Sequence, residues 1–314
     1  MTYISFINEL IKRKVSAVDN IVLFGQNITA GSCLSGLTRG LKVRDNSLII
    51  NTPNSENSLV GVGFGLMLSG ISSIFFMKQL DFLLLGCDHL VNTYNFIRIN
   101  NPKASFTIMP IVVDVGFQGM QSSFNNLGGF CSLAGIAGYT VTNKHDAEQI
   151  INSELIKPGF RIIGISQRLF DKEILGCEQV LYSDKDGEIF QYSKGKDVTI
   201  ACFNFSFPQG LEMNNRLKEH GLTSSLFTVN SAAPVKWDHI VDDVKITKKI
   251  IVIDDSKSEN LSCYDLLTQL LTKYQVEKQI VIKRKFSNEW FCPNPEELEI
   301  DYDEVIKSIT GRTS

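Results

Sequence analysis

The stretch with the residue types for chemistry is Asn51 to Gly70, N-T-P-N-S-E-N-S-L-V-G-V-G-F-G-L-M-L-S-G. A polar turn built on Pro53 carries one acid, Glu56, into an otherwise uncharged run. Ser55 or Asn54 is placed to cap a helix there by accepting a first-turn N–H, and Glu56 suits the positive end of that helix. Leu59 to Ser69 is apolar all round, which predicts a helix buried on every side. Gly70 suits the left-handed residue that ends it. A carboxylate at the mouth of a buried helix is either a cap or a reagent. A reagent role needs a dry pocket that keeps the protonated form accessible near neutral pH.

Read with D-F at Asp81 and D-H-L-V-N at Asp88 to Asn92, the pattern T-P-x-S-E-x-x-x-V-G-x-x-x-G-x-x-x-x-G resembles the β subunit of the thiamine diphosphate-dependent 2-oxo acid dehydrogenases. These are the pyruvate and branched-chain decarboxylating components, built on a transketolase-like plan. The resemblance implies that Glu56 hydrogen-bonds a ring nitrogen of the cofactor's aminopyrimidine and that Phe82 stacks on the same ring. The cofactor supplies the carbanion chemistry. The glutamate's part is to share a proton with the pyrimidine, favouring the imino tautomer that serves as internal base.

Length and composition bound the rest. The chain has 314 residues, 43% hydrophobic and 21% charged, which fits a globular protein with two substantial cores. A net charge of −3 gives no electrostatic case for nucleic acid. The seven cysteines are scattered without C-x-x-C spacing, as expected of reduced thiols in the cytoplasm. The N-terminus lacks a signal-peptide layout and reads as an amphipathic helix. Leu59 to Met77 is nearly long enough to span a bilayer, but Gly61, Gly63, Gly65, Gly70 and the serines after it predict a buried helix, a turn and a buried strand instead. Gly61 and Gly65, four apart, would let another helix approach closely.

In chain order, I-V-L-F-G at Ile21 to Gly25 reads as a buried parallel strand. It delivers Gln26 and Asn27 to its carboxyl end, where open α/β sheets bind ligands. The resembled family usually has acids there; this chain is neutral, and Gln26 is a candidate cofactor contact. A helix is expected from near Gly31 with Leu34, Leu37 and Leu41, then a strand at Leu48 to Ile50. Gln79 to Arg98 reads as one helix, with His89, where the family usually has glutamine, on its surface or at an interface. Met109 to Val113 is a buried strand that opens into a glycine-rich polar loop. The family normally carries a histidine in that loop, but Val115 to Ala137 contains none. Gln121, Ser122 and Asn125 are the substrate-side candidates left. A neutral amide or hydroxyl orients a carbonyl but does not shuttle protons as imidazole does.

Alternating strands and helices then predict an α/β protein of two domains, each a mostly parallel sheet flanked by helices. By the resemblance these are a transketolase-like pyrimidine-binding domain (1–166) and a transketolase C-terminal-like domain (197–314), with a linker over 167–196. Asp254 and Asp255 are expected to be strand-end carboxylates, not metal ligands. The superfamily's G-D-G…N-N segment, which holds Mg2+ and the diphosphate, is missing, so no metal site is expected in this chain. The resemblance thus implies an α subunit that supplies Mg2+ and the phosphate cradle, an α2β2 assembly, and activity only with that partner. Two reactions stay open. One is decarboxylation of a 2-oxo acid with acyl transfer to a lipoyl acyltransferase; the other is ketol or acyloin transfer to a carbonyl acceptor without lipoamide.

Overall fold

Two six-stranded sheets organise the chain. The computed structural model describes residues 1–115, 127–177, 179–231, 235–258, 260–285 and 298–311. The first sheet comprises β1 (Ile21–Gly25), β2 (Leu48–Asn51), β3 (Ser72–Met77), β4 (Ser105–Val112), β5 (Ala137–Thr140) and β6 (Gly159–Ser166), in the order β2-β1-β3-β4-β6-β5 and parallel throughout. The second comprises β7 (Tyr182–Ser183), β8 (Ile189–Ser193), β9 (Val198–Phe203), β10 (Ser224–Val229), β11 (Lys249–Asp254) and β12 (Lys278–Lys283), in the order β12-β11-β9-β10-β8-β7. Its β7 and β8, which lie within the stretch read as a linker, make the antiparallel edge.

Helices cover both faces of each sheet, so strand residues on alternate sides are buried in different cores. In chain order they are α1 (Tyr3–Ser16), α2 (Glu56–Leu68), α3 (Tyr94–Ile99), α4 (Leu127–Ala134), α5 (Lys144–Glu154), α6 (Phe207–Glu219), α7 (Asp238–Thr247), α8 (Tyr264–Lys273) and α9 (Tyr302–Thr310). Ile21 and Leu23 join the α1 and α5 side, in a core that runs on to α6 and α9 beneath the second sheet. Val22 and Phe24 face the α2, α3 and α4 side. A third core lies between the second sheet and α7 and α8.

Three sequence expectations change. The residues from Gly31 to Leu41 form no helix beyond one 3₁₀ turn, because Cys33, Leu34 and Ser35 take left-handed φ values of 52°, 51° and 56°. Leu34, Leu37 and Leu41 are still buried, and Asn8 Nδ2 donates to the carbonyls of Leu37 (2.8 Å) and Arg39 (3.1 Å), replacing the missing helical bonds. Gln79 to Arg98 is broken into a 3₁₀ stretch (Leu80–Gly86), one π-helical turn (His89–Thr93) and α3. Gly86 sits against Val60 of α2 with no room for a side chain, which breaks the regular helix at that point.

The third change concerns α2. Its inner face is buried through Val60, Phe64 and Met67, but Val62 and Leu68 are 50% and 60% exposed. Gly70 ends it as expected, at φ +77°, with Ile71 N–H bonded to Leu66 O and Gly70 N–H to Met67 O. Of the two glycines expected to admit a neighbouring helix, Gly61 does so, under the ring of His89, and Gly65 does not. A side chain at Gly65 would meet nothing within 4 Å, whereas one at Gly63 would lie 2.1 Å from the ring of Phe106. That ring is fully buried and packs edge-on against Phe64 at 5.1 Å. Gly63→Ala is therefore expected to lower unfolding free energy by about 3 kcal/mol, read as a lower denaturant midpoint at unchanged slope. No helix among the described residues is long and apolar enough to cross a membrane.

Candidate functional site

Strand order fixes where a ligand can enter. The chain leaves β1 toward β2 on one flank, and leaves β3 toward β4 on the other. The carboxyl ends of β1 and β3 therefore diverge into a crevice, the usual ligand position in open α/β sheets. Gln26 follows β1 directly, the Glu56 turn follows β2, and Phe82 lies five residues beyond β3. All three expected site residues thus sit along one edge of the sheet, with no hydrogen bond joining them among the described residues.

Local contacts explain how they are held. A side chain at Gly25 would come within 2.2 Å of the Phe76 carbonyl, so only glycine lets β1 turn past β3 here, at φ +151°. Thr52 N–H donates to Gly25 O at 3.0 Å, tying the end of β2 to the end of β1. Asn51 accepts from Thr29 N–H at 3.1 Å and pins the loop after Gln26. Phe82 is half-buried against the α2 core.

Glu56 is the first residue of α2 and is half-buried. Ser55 occupies the cap position without capping; its hydroxyl bonds Ser58 Oγ at 3.1 Å instead. The Glu56 carboxylate has no hydrogen bond or ion pair among the described residues, so it is not consumed as a cap. Two more oxygens at this edge, Gln26 Oε1 and Thr52 Oγ1, are buried without a hydrogen-bond partner. Both are open to a ligand's hydrogen-bonding groups, though similar atoms, such as Ser73 Oγ and Gln209 Oε1, occur elsewhere in the protein. A free carboxylate, a half-buried phenyl ring and two orphaned oxygens fit a flat heterocycle that carries hydrogen-bonding groups. Gln121, Ser122 and Asn125 lie outside the described residues.

Sequence reading missed a charged cluster at the carboxyl ends of β4, β6, β11 and β12. Asp114 accepts from Ser166 Oγ (2.6 Å) and Arg168 N–H (2.8 Å), and Arg168 Nη2 bonds Asp255 Oδ2 (2.5 Å) and Phe205 O (3.1 Å). Arg284 adds a contact to Asp255 at 3.5 Å, and Lys257 Nζ donates to Val113 O at 3.2 Å. Burial raises the Asp114 carboxyl against the pull of Arg168. Burial and the Arg284 charge bring Lys257 down to about 8. No motif marks these residues; they come from the ends of four strands, β4, β6, β11 and β12. Asp254 accepts from Asn204, Ser256 and Cys263, so both strand-end acids are structural, and the described residues contain no cluster able to hold a metal ion.

The second sheet has its own divergence, between β9 and β11. Arg168, two residues beyond the end of β6, bonds Asp255 and Phe205 O there and is 7% exposed.

No family model matches the chain. It is 21% identical over 304 residues to an acetoin:2,6-dichlorophenolindophenol oxidoreductase subunit beta of Cupriavidus necator, covering 91% of this chain and 87% of that protein. It is 20% identical to a mitochondrial pyruvate dehydrogenase E1 component subunit beta-1 of Arabidopsis thaliana, covering 86% and 77%. Among solved structures it is similar to a split-gene transketolase in an inactive β4 tetramer, at TM-score 0.72 and 14% identity, covering 98% and 96%. By sequence the chain is similar over most of its length to β subunits of pyruvate dehydrogenase E1 components and acetoin oxidoreductases, and its fold is similar to that of a split-gene transketolase.

Proposed function

We propose that the chain is the β subunit of a thiamine diphosphate enzyme that decarboxylates a 2-oxo acid and hands on the acyl unit. Its first domain (1–166) grips the aminopyrimidine; its second (197–314), joined through 167–196, braces the first. The single observation that carries this reading is the free, half-buried carboxylate of Glu56 at the switch-point crevice. Glu56 would hold a proton against the pyrimidine nitrogen, Phe82 would cover the ring face, and Gln26 would use its orphaned Oε1 for the amino group. The cofactor, when bound, supplies carbanion stabilisation. Glu56 needs no metal for its part.

Mg2+ and the diphosphate then fall to an α subunit in an α2β2 assembly. Support for a partner comes from the outer surface of the α2, α3 and α4 layer. Val62, Leu84, Leu85, Phe96, Ile99 and Leu133 are all at least half exposed there, an apolar area of the kind that marks protein interfaces. Free thiols at the six described cysteines fit a cytoplasmic setting.

A second reading, acyloin or ketol transfer to a carbonyl acceptor without lipoamide, is favoured by two observations. Gln26 and Asn27 leave the rim uncharged, and the 115–137 segment has no histidine to serve a lipoyl acceptor. The Cupriavidus relative carries an acetoin name, in the same direction. The test is co-purification from native cells, then a screen of 2-oxo acids for carbon dioxide release and of acetoin for cleavage. The expected result is a two-subunit complex with turnover that depends on added thiamine diphosphate and Mg2+. A purified complex that binds no thiamine diphosphate refutes both readings.

A further inference from the structure

His89 does more than decorate a helix surface. Its ring lies against α2 at Gly61, where an added side chain would come within 3.2 Å of Nε2 and 3.3 Å of Cε1, so the ring packs closely on that glycine. Asn57 Nδ2 donates to Leu85 O at 3.1 Å, which turns Asn57 Oδ1 toward His89 Nε2 at 3.2 Å. An amide oxygen only accepts, so the network assigns the ring proton to Nε2. His89 Nδ1 lies 2.9 Å from Thr93 Oγ1, inside the one π-helical turn of the described residues. Such turns recur where a side chain must be aimed.

The two ends of this chain of bonds are informative. Asn57 is next to Glu56, in the first turn of α2; Leu85 lies in the same 3₁₀ stretch as Phe82. We propose that His89 is a positioning residue: through Asn57 it locks the turn that carries Glu56 to the segment that carries Phe82, and so sets the gap between carboxylate and phenyl ring. The proposal rests on the reading of those two residues as the two sides of a heterocycle site. It gives His89 no contact with the cofactor itself.

Two measurements test it. The chain has four histidines, so 15N labelling of histidine, assigned with His89→Gln, reads the ring directly. The expected spectrum shows a fixed Nε2–H tautomer at His89, replaced by averaged tautomers in Asn57→Ala. In the complex with its partner, His89→Ala should weaken thiamine diphosphate binding about five- to tenfold, as loss of one hydrogen bond implies. His89→Gln, whose amide N–H can reach Asn57, should stay within about threefold of wild type, with the thermal midpoint of the chain unmoved in both. If His89→Ala does not fold, Asn57→Ala deletes that bond together with the one to Leu85 O and must weaken binding at least as much. Wild-type affinity in His89→Ala, or no rescue by glutamine, overturns the positioning role. If Glu56→Gln abolishes turnover in those preparations, the underlying reading survives that failure; if it does not, both fall.

Discussion

Glu56→Gln should leave the fold intact and reduce turnover by about a thousandfold or more. Glutamine keeps the shape and can still hydrogen-bond, but it holds no transferable proton, and general acid–base groups are typically worth 10² to 10⁴ in rate. The stability cost should be under about 1 kcal/mol. The carboxylate has no partner to lose, and only its favourable place at the helix N-terminus disappears. The check is parallel: a denaturant melt of the chain, and carbon dioxide release by the reconstituted complex at saturating cofactor. Equal turnover in the two proteins would remove Glu56 from the chemistry. A collapsed melt would instead show that the acid belongs to the fold.

The second large effect is structural. Arg168→Met should cost about 3 to 5 kcal/mol, because it strands Asp255 and Asp114, both fully buried, without their main cation. The loss should depend on pH in a definite direction. Burial and the neighbouring Asp255 charge already raise the Asp114 carboxyl, and removing Arg168 raises it further. A carboxyl whose folded value exceeds its unfolded value binds extra protons when folded, so stability falls as pH rises above the ordinary carboxylate range. The variant's deficit should therefore be larger at pH 8 than at pH 5 in urea melts. Replacing Asp114 by asparagine in the same chain should recover part of it, since a neutral amide removes that buried charge while Asp255 keeps its contact with Arg284. A flat pH profile with no recovery would mean that Arg168 contributes packing alone.

Continuous apolar runs made the strands legible. Ile21–Gly25 lies where the sequence places it, because a strand buried on both faces needs such a run and little else does. The Glu56 turn was legible through the wider T-P-x-S-E pattern and the family it resembles, since an acid in a helix's first turn is ordinary by itself. What the sequence concealed was tertiary. The exposure of Val62 and Leu68 depends on how few elements cover α2, which no local pattern records. Leu34, Leu37 and Leu41 have helical spacing yet sit on a left-handed path, where the carbonyls are met by Asn8 from 29 residues away. The β12 strand is half-buried and lysine-flanked, so it lacked the run that revealed its neighbours. The role of Arg168 followed from a topological crevice, and strand order cannot be read from one sequence.

The bare outer side of the α2 layer bears on how a cell must make this protein. Synthesised in excess, such a subunit would display Phe96 and Ile99, 78% and 77% exposed, to every other chain around it. On the proposed two-subunit reading, copies made without the partner would be held by chaperones or degraded, and output of the two polypeptides would be matched, most simply by translating both from one message.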